Sequence, residues 1–138
     1  MTERKYPNIE LSNISVMCVT SGDGVKGSGD AFKTLESKLP TLKRRKFYGV
    51  LSDDPENGVY RACVQTIPED NAKELGLDTW TIPGGKYTKA VIENWEEHTD
   101  QIGPTLHDMA HMFQTDDTRP VIEFYRSQKE LILYLPIS

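Results

Sequence analysis

The chain has 138 residues and a formal charge of -5, with 37% apolar and 27% charged residues. That balance suits one domain, residues 1–138, able to bury a core without metal or disulfide support. No apolar run approaches the length of a membrane span, and the polar start Met1-Thr-Glu-Arg-Lys5 lacks the apolar centre of a secretory signal. A cytoplasmic protein is expected, and the negative charge argues against direct nucleic-acid binding.

Residues 1–12 are mostly polar and predict an irregular arm or a leading edge strand. Ile14 to Thr20 is the first clear strand, followed by the glycine-rich stretch Ser21 to Asp30. A helix comes next, with Phe32, Leu35, Leu39 and Leu42 recurring at helical spacing, Ser28 as its expected N-cap and Pro40 ending it near Leu39. Gly22-x-Gly24-x-x-Gly27 between strand and helix, with Asp53 after the next strand, superficially satisfies a dinucleotide fingerprint. That fingerprint needs parallel strands and crossovers. Here Lys46 to Ser52 turns through Asp53-Asp-Pro-Glu-Asn-Gly58 into Val59 to Thr66, which predicts an antiparallel hairpin. The glycines then read as a flexible loop at a pocket mouth.

The basic cluster Lys43 to Lys46 carries no interleaved aromatics and reads as a solvated helix exit. Cys18 and Cys63 stand far apart, each in an apolar strand-like run without zinc-site spacing, so buried reduced thiols are expected.

Ile67 to Gly76 is a polar link with room for one helical turn. Leu77 to Ile82 predicts a strand, Pro83-Gly84-Gly85 a bend, and Lys86 to Ile92 another strand. Ile102, Leu106, Met109 and Phe113 then mark a helix with Gly103 as cap and Pro104 in its first turn. Met109 lies on the apolar stripe and belongs to the core. His107 and His111 are four apart on that helix, but neither His98 nor any other residue supplies an obvious third ligand, so no metal site is expected. Each half reads strand, helix, hairpin, with repeat one about 14–66 and repeat two about 77–137. The expected class is α+β: two pseudo-symmetric β-α-β-β repeats in a mainly antiparallel sheet, helices on one face, and a central ligand groove where the halves meet.

The terminal stretch Pro120 to Ile137 predicts the last hairpin, with Gln128-Lys129 at its tip. That tip pairs Phe124 with Leu133, Glu123 with Tyr134 and Tyr125 with Ile132. Ile122, Phe124, Leu131, Leu133 and Leu135 would share an apolar core face, leaving Val121, Glu123, Tyr125, Ile132 and Tyr134 on the other. A mid-strand carboxylate among such residues must reach solvent, meet a protein cation or await a ligand that supplies one.

Tyr48-Gly-Val-Leu-Ser-Asp-Asp-Pro55 leading to Tyr60-Arg-Ala-Cys63, Ile82-Pro-Gly-Gly-Lys-Tyr87, and Val121-Ile-Glu-Phe-Tyr125 leading to Leu135-Pro-Ile137 together resemble the GyrI-like small-molecule-binding family. That family is named for a gyrase-inhibitory protein and is shared by effector-binding domains of AraC-type and multidrug-responsive activators. The resemblance runs from about Ile14 to Ile137 and implies two β-α-β-β repeats about a pseudo-two-fold axis. It also implies a pocket for aromatic or cationic compounds with a carboxylate floor, at the position of Glu123. With no room for a helix-turn-helix, the chain reads as a stand-alone member. Tyr134, Tyr125, Trp95 and Met112 are the expected ligand-binding neighbours of Glu123, although the tyrosines and Trp80 or Trp95 could equally cap or anchor the core.

Three functions follow. The first is a protein that binds or sequesters aromatic or cationic small molecules without a cofactor. The second, implied by stand-alone members of the family, is a hydrolase of cyclopropane-containing DNA-alkylating compounds, with Glu123 as general base and no assignable second acid in Glu93 or Glu96. The third is an inhibitory protein-interaction module. Edge strands leave dimerisation open, and no interface signal settles the oligomeric state.

Overall fold

A computed structural model describes residues 6–22, 24–52 and 58–138. In chain order the elements are β1 (Asn8–Leu11), β2 (Ile14–Thr20), α1 (Ser28–Ser37), β3 (Phe47–Ser52), β4 (Val59–Gln65), α2 (Ala72–Leu75), β5 (Asp78–Ile82), β6 (Gly85–Glu93), α3 (Ile102–Met112), β7 (Val121–Tyr125) and β8 (Glu130–Pro136). The strands form one curled sheet in the order β1-β6-β8-β7-β3-β4-β2-β5. All its ladders are antiparallel. The α+β class expected from the sequence is the one observed.

Antiparallel ladders remove the parallel crossovers on which a dinucleotide site depends. The glycine-rich stretch winds instead through a 3-10 turn, Gly24–Gly27, into α1, whose N-cap is Gly27 rather than Ser28. Asp53 and most of the turn after β3 lie outside the described residues. Among the described residues, no helix is long and apolar enough to cross a membrane.

Segments β2-α1-β3-β4 and β6-α3-β7-β8 share one order of elements, and their strands occupy mirrored places in the sheet, meeting at the β3–β7 ladder. The leading strands are exchanged. Leu77–Ile82, expected at the head of the second repeat, supplies β5, which pairs with β2, while β1 pairs with β6. The two exchanging connections touch at Gly84, whose N–H donates to Asn13 Oδ1 at 2.6 Å. A Cβ on Gly84 would stand 2.5 Å from the Leu11 carbonyl oxygen, so this crossing requires glycine.

Each helix covers its own half. Ala31 and Leu35 of α1 bury against Met17, Ala62 and Val64 of β2 and β4. Met109 of α3 buries against Leu131, Leu133 and Leu135 of β8. Each buried Leu, Met or Val among them contributes about 1.5–3 kcal/mol of burial free energy. On the opposite face Val16, Tyr48, Val50, Ile122, Ile132 and Tyr134 form a second core.

The terminal hairpin departs from its expected register. Glu123 pairs with Leu133, Phe124 with Ile132 and Tyr125 with Leu131. The turn explains the difference: Ser127 Oγ accepts from the N–H groups of Lys129 and Glu130, at 3.1 and 3.0 Å, so the loop has three residues rather than two. A one-residue slip exchanges faces. Leu131, Leu133 and Leu135 therefore lie on the same face as Glu123 and Tyr125, and Tyr134 lies on the other.

The basic cluster also needs correction, because Arg45 is not solvated. It meets Asp70 at 2.7 Å, with side chains 4% and 9% exposed. Hydrogen bonds from Arg45 first, and then from the Ile67 N–H, hold the Asp70 carboxyl below its usual range. A carboxylate with a lowered folded-state pKa stabilises the fold fully above its unfolded value of about 4, and this is lost as pH falls through the lowered value. In urea titrations the wild type should exceed Asp70→Asn in midpoint at neutral pH, and the gap should close as pH is taken down towards about 3. A gap independent of pH would rule out the ion pair as its source.

Candidate functional site

Because each helix packs on its own half, β3 and β7 at the junction have neither principally above them. A groove of about 610 Å³ opens there. α1 forms one wall with Phe32 and Glu36, Phe47 begins β3 at one end, and Trp95, Tyr125 and Gln128 form the other side. This volume lies within the usual range for small-molecule pockets.

Local chain geometry places Trp95. Asn94 adopts a left-handed conformation at φ 53°, which turns the chain off the end of β6 into the 3-10 turn Trp95–Glu97. Trp95 Nε1–H then donates to the Ser127 carbonyl at 3.1 Å, fixing the indole over the hairpin tip. Its ring meets Tyr125 at 5.1 Å, edge to face, and Phe32 approaches Tyr125 at 5.3 Å and Tyr60 at 6.3 Å in the same manner.

Glu123 sits one hydrogen bond behind these rings. Tyr60 and Tyr125 hydroxyls both donate to Glu123 Oε1, at 2.8 and 2.9 Å. Burial first and the Glu123 charge second raise both hydroxyls far above the usual tyrosine range, so they remain protonated donors. Among the described residues no cation forms an ion pair with Glu123. Oε1 thus has two neutral donors.

Of the residues expected from sequence, Glu123, Tyr125 and Trp95 come together. Tyr134 does not: it is buried on the opposite face, edge to face with Tyr87 at 6.4 Å. Met112, at the end of α3, is 48% exposed and outside the groove lining. Met109 is fully buried, in the core. His107 and His111 are exposed with their Nε2 atoms 3.0 Å apart, and among the described residues no group of three metal-ligating side chains forms. Phe32, Tyr60 and Gly49 were not anticipated as site residues. Phe32 carried the signal of a core stripe, and Tyr60 that of an ordinary strand aromatic.

Gly49 pairs with Glu123 across the β3–β7 ladder. A Cβ there would overlap the Tyr60 hydroxyl and lie 2.6 Å from Glu123 Oε1. The glycine leaves the space that the hydrogen-bonded triad fills.

No known family model matches the sequence, and no curated protein matches it significantly. Solved structures do match. An integron cassette protein from the mobile metagenome of Vibrio cholerae gives a TM-score of 0.72 at 14% identity, over 96% of this chain and 95% of that one. SAV2435 bound to tetraphenylphosphonium gives 0.67 at 14% identity, over 98% and 94%. A hydrolase from Listeria innocua gives 0.59 at 13% identity, over 100% and 94%. At these identities the likeness establishes the fold, which is GyrI-like, as the resemblance implied.

Gly49→Ala should lower the unfolding free energy by about 1–3 kcal/mol in urea titration, the usual cost of forcing atoms into a filled site. Adding Tyr60→Phe, which removes the overlapping hydroxyl, should recover part of that loss. Equal destabilisation with and without the hydroxyl would show that the triad does not fill the space.

Proposed function

We propose that this protein binds small aromatic cations in the groove, with Phe32, Phe47, Tyr125 and Trp95 as its aromatic lining and Glu123, held by Tyr60 and Tyr125, as the anionic floor beneath those rings. The observation that carries the proposal is the convergence of two protonated tyrosine hydroxyls on one oxygen of a carboxylate that, among the described residues, forms no ion pair. Neutral donors lower the cost of holding the anion under the rings while leaving its charge for an incoming cation. Each ring face adds about 0.5–2 kcal/mol of cation–π attraction. Flat rings and a single charge constrain ligand shape weakly, which favours broad specificity. The tetraphenylphosphonium of the SAV2435 structure is a ligand of this chemistry, and it supports the reading.

The Listeria neighbour supports a second use of the same groove. Glu123 would act as general base, taking a proton from water as it opens a strained electrophile such as a cyclopropane. The tyrosine donors would then hold the carboxylate in place.

Titration with tetraphenylphosphonium, followed by tryptophan fluorescence, should be saturable. Glu123→Gln should weaken it by about tenfold or more, equivalent to about 1.4 kcal/mol. Tyr134→Phe, on the other face, should bind as the wild type does. Undiminished binding by Glu123→Gln would remove the carboxylate from the reading. Chromatographic recovery of an added cyclopropane electrophile separates the two uses: intact recovery supports the binder, and catalytic loss that depends on Glu123 makes the protein a hydrolase.

A further inference from the structure

We propose that Cys18 and Cys63 are a hydroperoxide-sensitive dithiol that closes into a cross-strand disulfide within the folded protein. The two residues face each other directly in the β2–β4 ladder, and both thiols are free and buried. The ladder's hydrogen bonds identify the kind of pair they form. Thr66 N–H donates to the Ser15 carbonyl and Ser21 N–H to the Tyr60 carbonyl, so these flanking pairs are hydrogen-bonded ones. Hydrogen-bonded and non-hydrogen-bonded pairs alternate along an antiparallel ladder. Cys18 and Cys63 therefore occupy a non-hydrogen-bonded pair, where Cα atoms approach to about 4.5 Å and side chains are closest. That spacing falls within disulfide range.

The surroundings distinguish the two sulfurs. Arg61 lies two residues from Cys63 on the same face, with its guanidinium 4.7 Å from the Trp80 ring. Asp78 pairs with Cys18 from β5, and Tyr48 pairs with Cys63 from β3. The Cys63 side chain, with help from the Arg61 charge, holds Cys18 below the usual thiol range against burial and Asp78. The Cys18 side chain and burial push Cys63 upward, and the Cys63 thiol donates to the Arg61 carbonyl at 3.7 Å. Cys18, the less buried sulfur, is thus the nucleophile and Cys63 the resolving thiol.

The Cys18 thiolate attacks one oxygen of a hydroperoxide; an S–O bond forms, the O–O bond breaks, and the departing alkoxide or hydroxide leaves protonated. Cys63 sulfur then attacks the Cys18 sulfenic sulfur, forming S–S and breaking S–O, with its proton leaving in water. Two electrons pass from the dithiol to the peroxide. Cys18 is 3% and Cys63 0% exposed, which favours a small oxidant over bulky disulfides.

The test treats the native wild-type protein with hydrogen peroxide at low protein concentration, quenches with catalase, unfolds it and alkylates. Mass spectrometry should show loss of two hydrogens, loss of both alkylation sites, a Cys18–Cys63 linked peptide, and reversal by dithiothreitol. In Cys63→Ser, which keeps a polar donor beside Cys18, dimedone present as the protein is unfolded should mark Cys18, and Cys18→Ser should give no adduct on Cys63. Full alkylation of both cysteines after peroxide, linkage only between molecules, or sulfinic acid without the linked peptide would each overturn the proposal.

Discussion

The pairing of Gly49 with Glu123 at the β3–β7 junction is the constraint on which the site depends. This ladder joins two half-sheets into one, and each half commits its helix to its own strands. The strip between the helices is where a groove can open. A carboxylate on that strip needs donors, and it takes one from Tyr60 in the first half and one from Tyr125 in the second. The site is composite by construction. Neither half alone holds both hydroxyls, and only a residue without a Cβ opposite Glu123 leaves room for them.

The fold solves the problem of a sheltered carboxylate twice, in different ways. Asp70 meets Arg45, and the pair is internally neutral. A buried ion pair of this kind returns in Coulomb attraction much of what its desolvation costs, and it presents no net charge to a ligand. Glu123 meets two hydroxyls instead. Hydrogen bonds to a charged group contribute about 1.5–3 kcal/mol each and leave the charge in place. Both acids are sheltered, but only one is left electrostatically unfinished, and that one lies behind an aromatic-lined groove. This contrast separates a structural carboxylate from the one assigned to a ligand in the proposed function.

The elements were largely legible in the sequence because period-two and helical apolar patterns are local. The register of the last hairpin was not. Leu131 to Leu135 is buried on both faces of the sheet, so the apolar pattern fits either parity equally well. The choice fell to the Ser127 hydroxyl, which makes a three-residue loop. One residue of slip moved Tyr134 away from Glu123 and brought three leucines beneath α3. Tyr125 and Trp95 lie near Glu123 because their placement rests on Glu123's own strand and on the Asn94 turn. The exchange of β1 and β5, and the meeting of Cys18 with Cys63, depend on which distant strands become neighbours. Local pattern carries no information about that. Phe32 looked like core because an apolar stripe has the same appearance whether it faces a sheet or the edge of a groove.

β4 holds residues of both proposed chemistries, one on each face. Tyr60, Ala62 and Val64 point to the helix side, and Arg61 and Cys63 to the opposite side, as strand alternation requires. The Tyr60 hydroxyl is positioned by β4's ladder with β3, which includes the pairs Leu51 with Tyr60 and Gly49 with Ala62. Cys63 lies in β4's ladders with both β2 and β3, its side chain on the face opposite Tyr60. A bond between Cys18 and Cys63 ties together strands that are already paired in register, on the face of the sheet away from the helices. The groove depends on the helix-side face and on the β3–β7 junction. Thiol chemistry and ligand chemistry can therefore occupy one strand without competing for the same geometry, because the plane of the sheet lies between them.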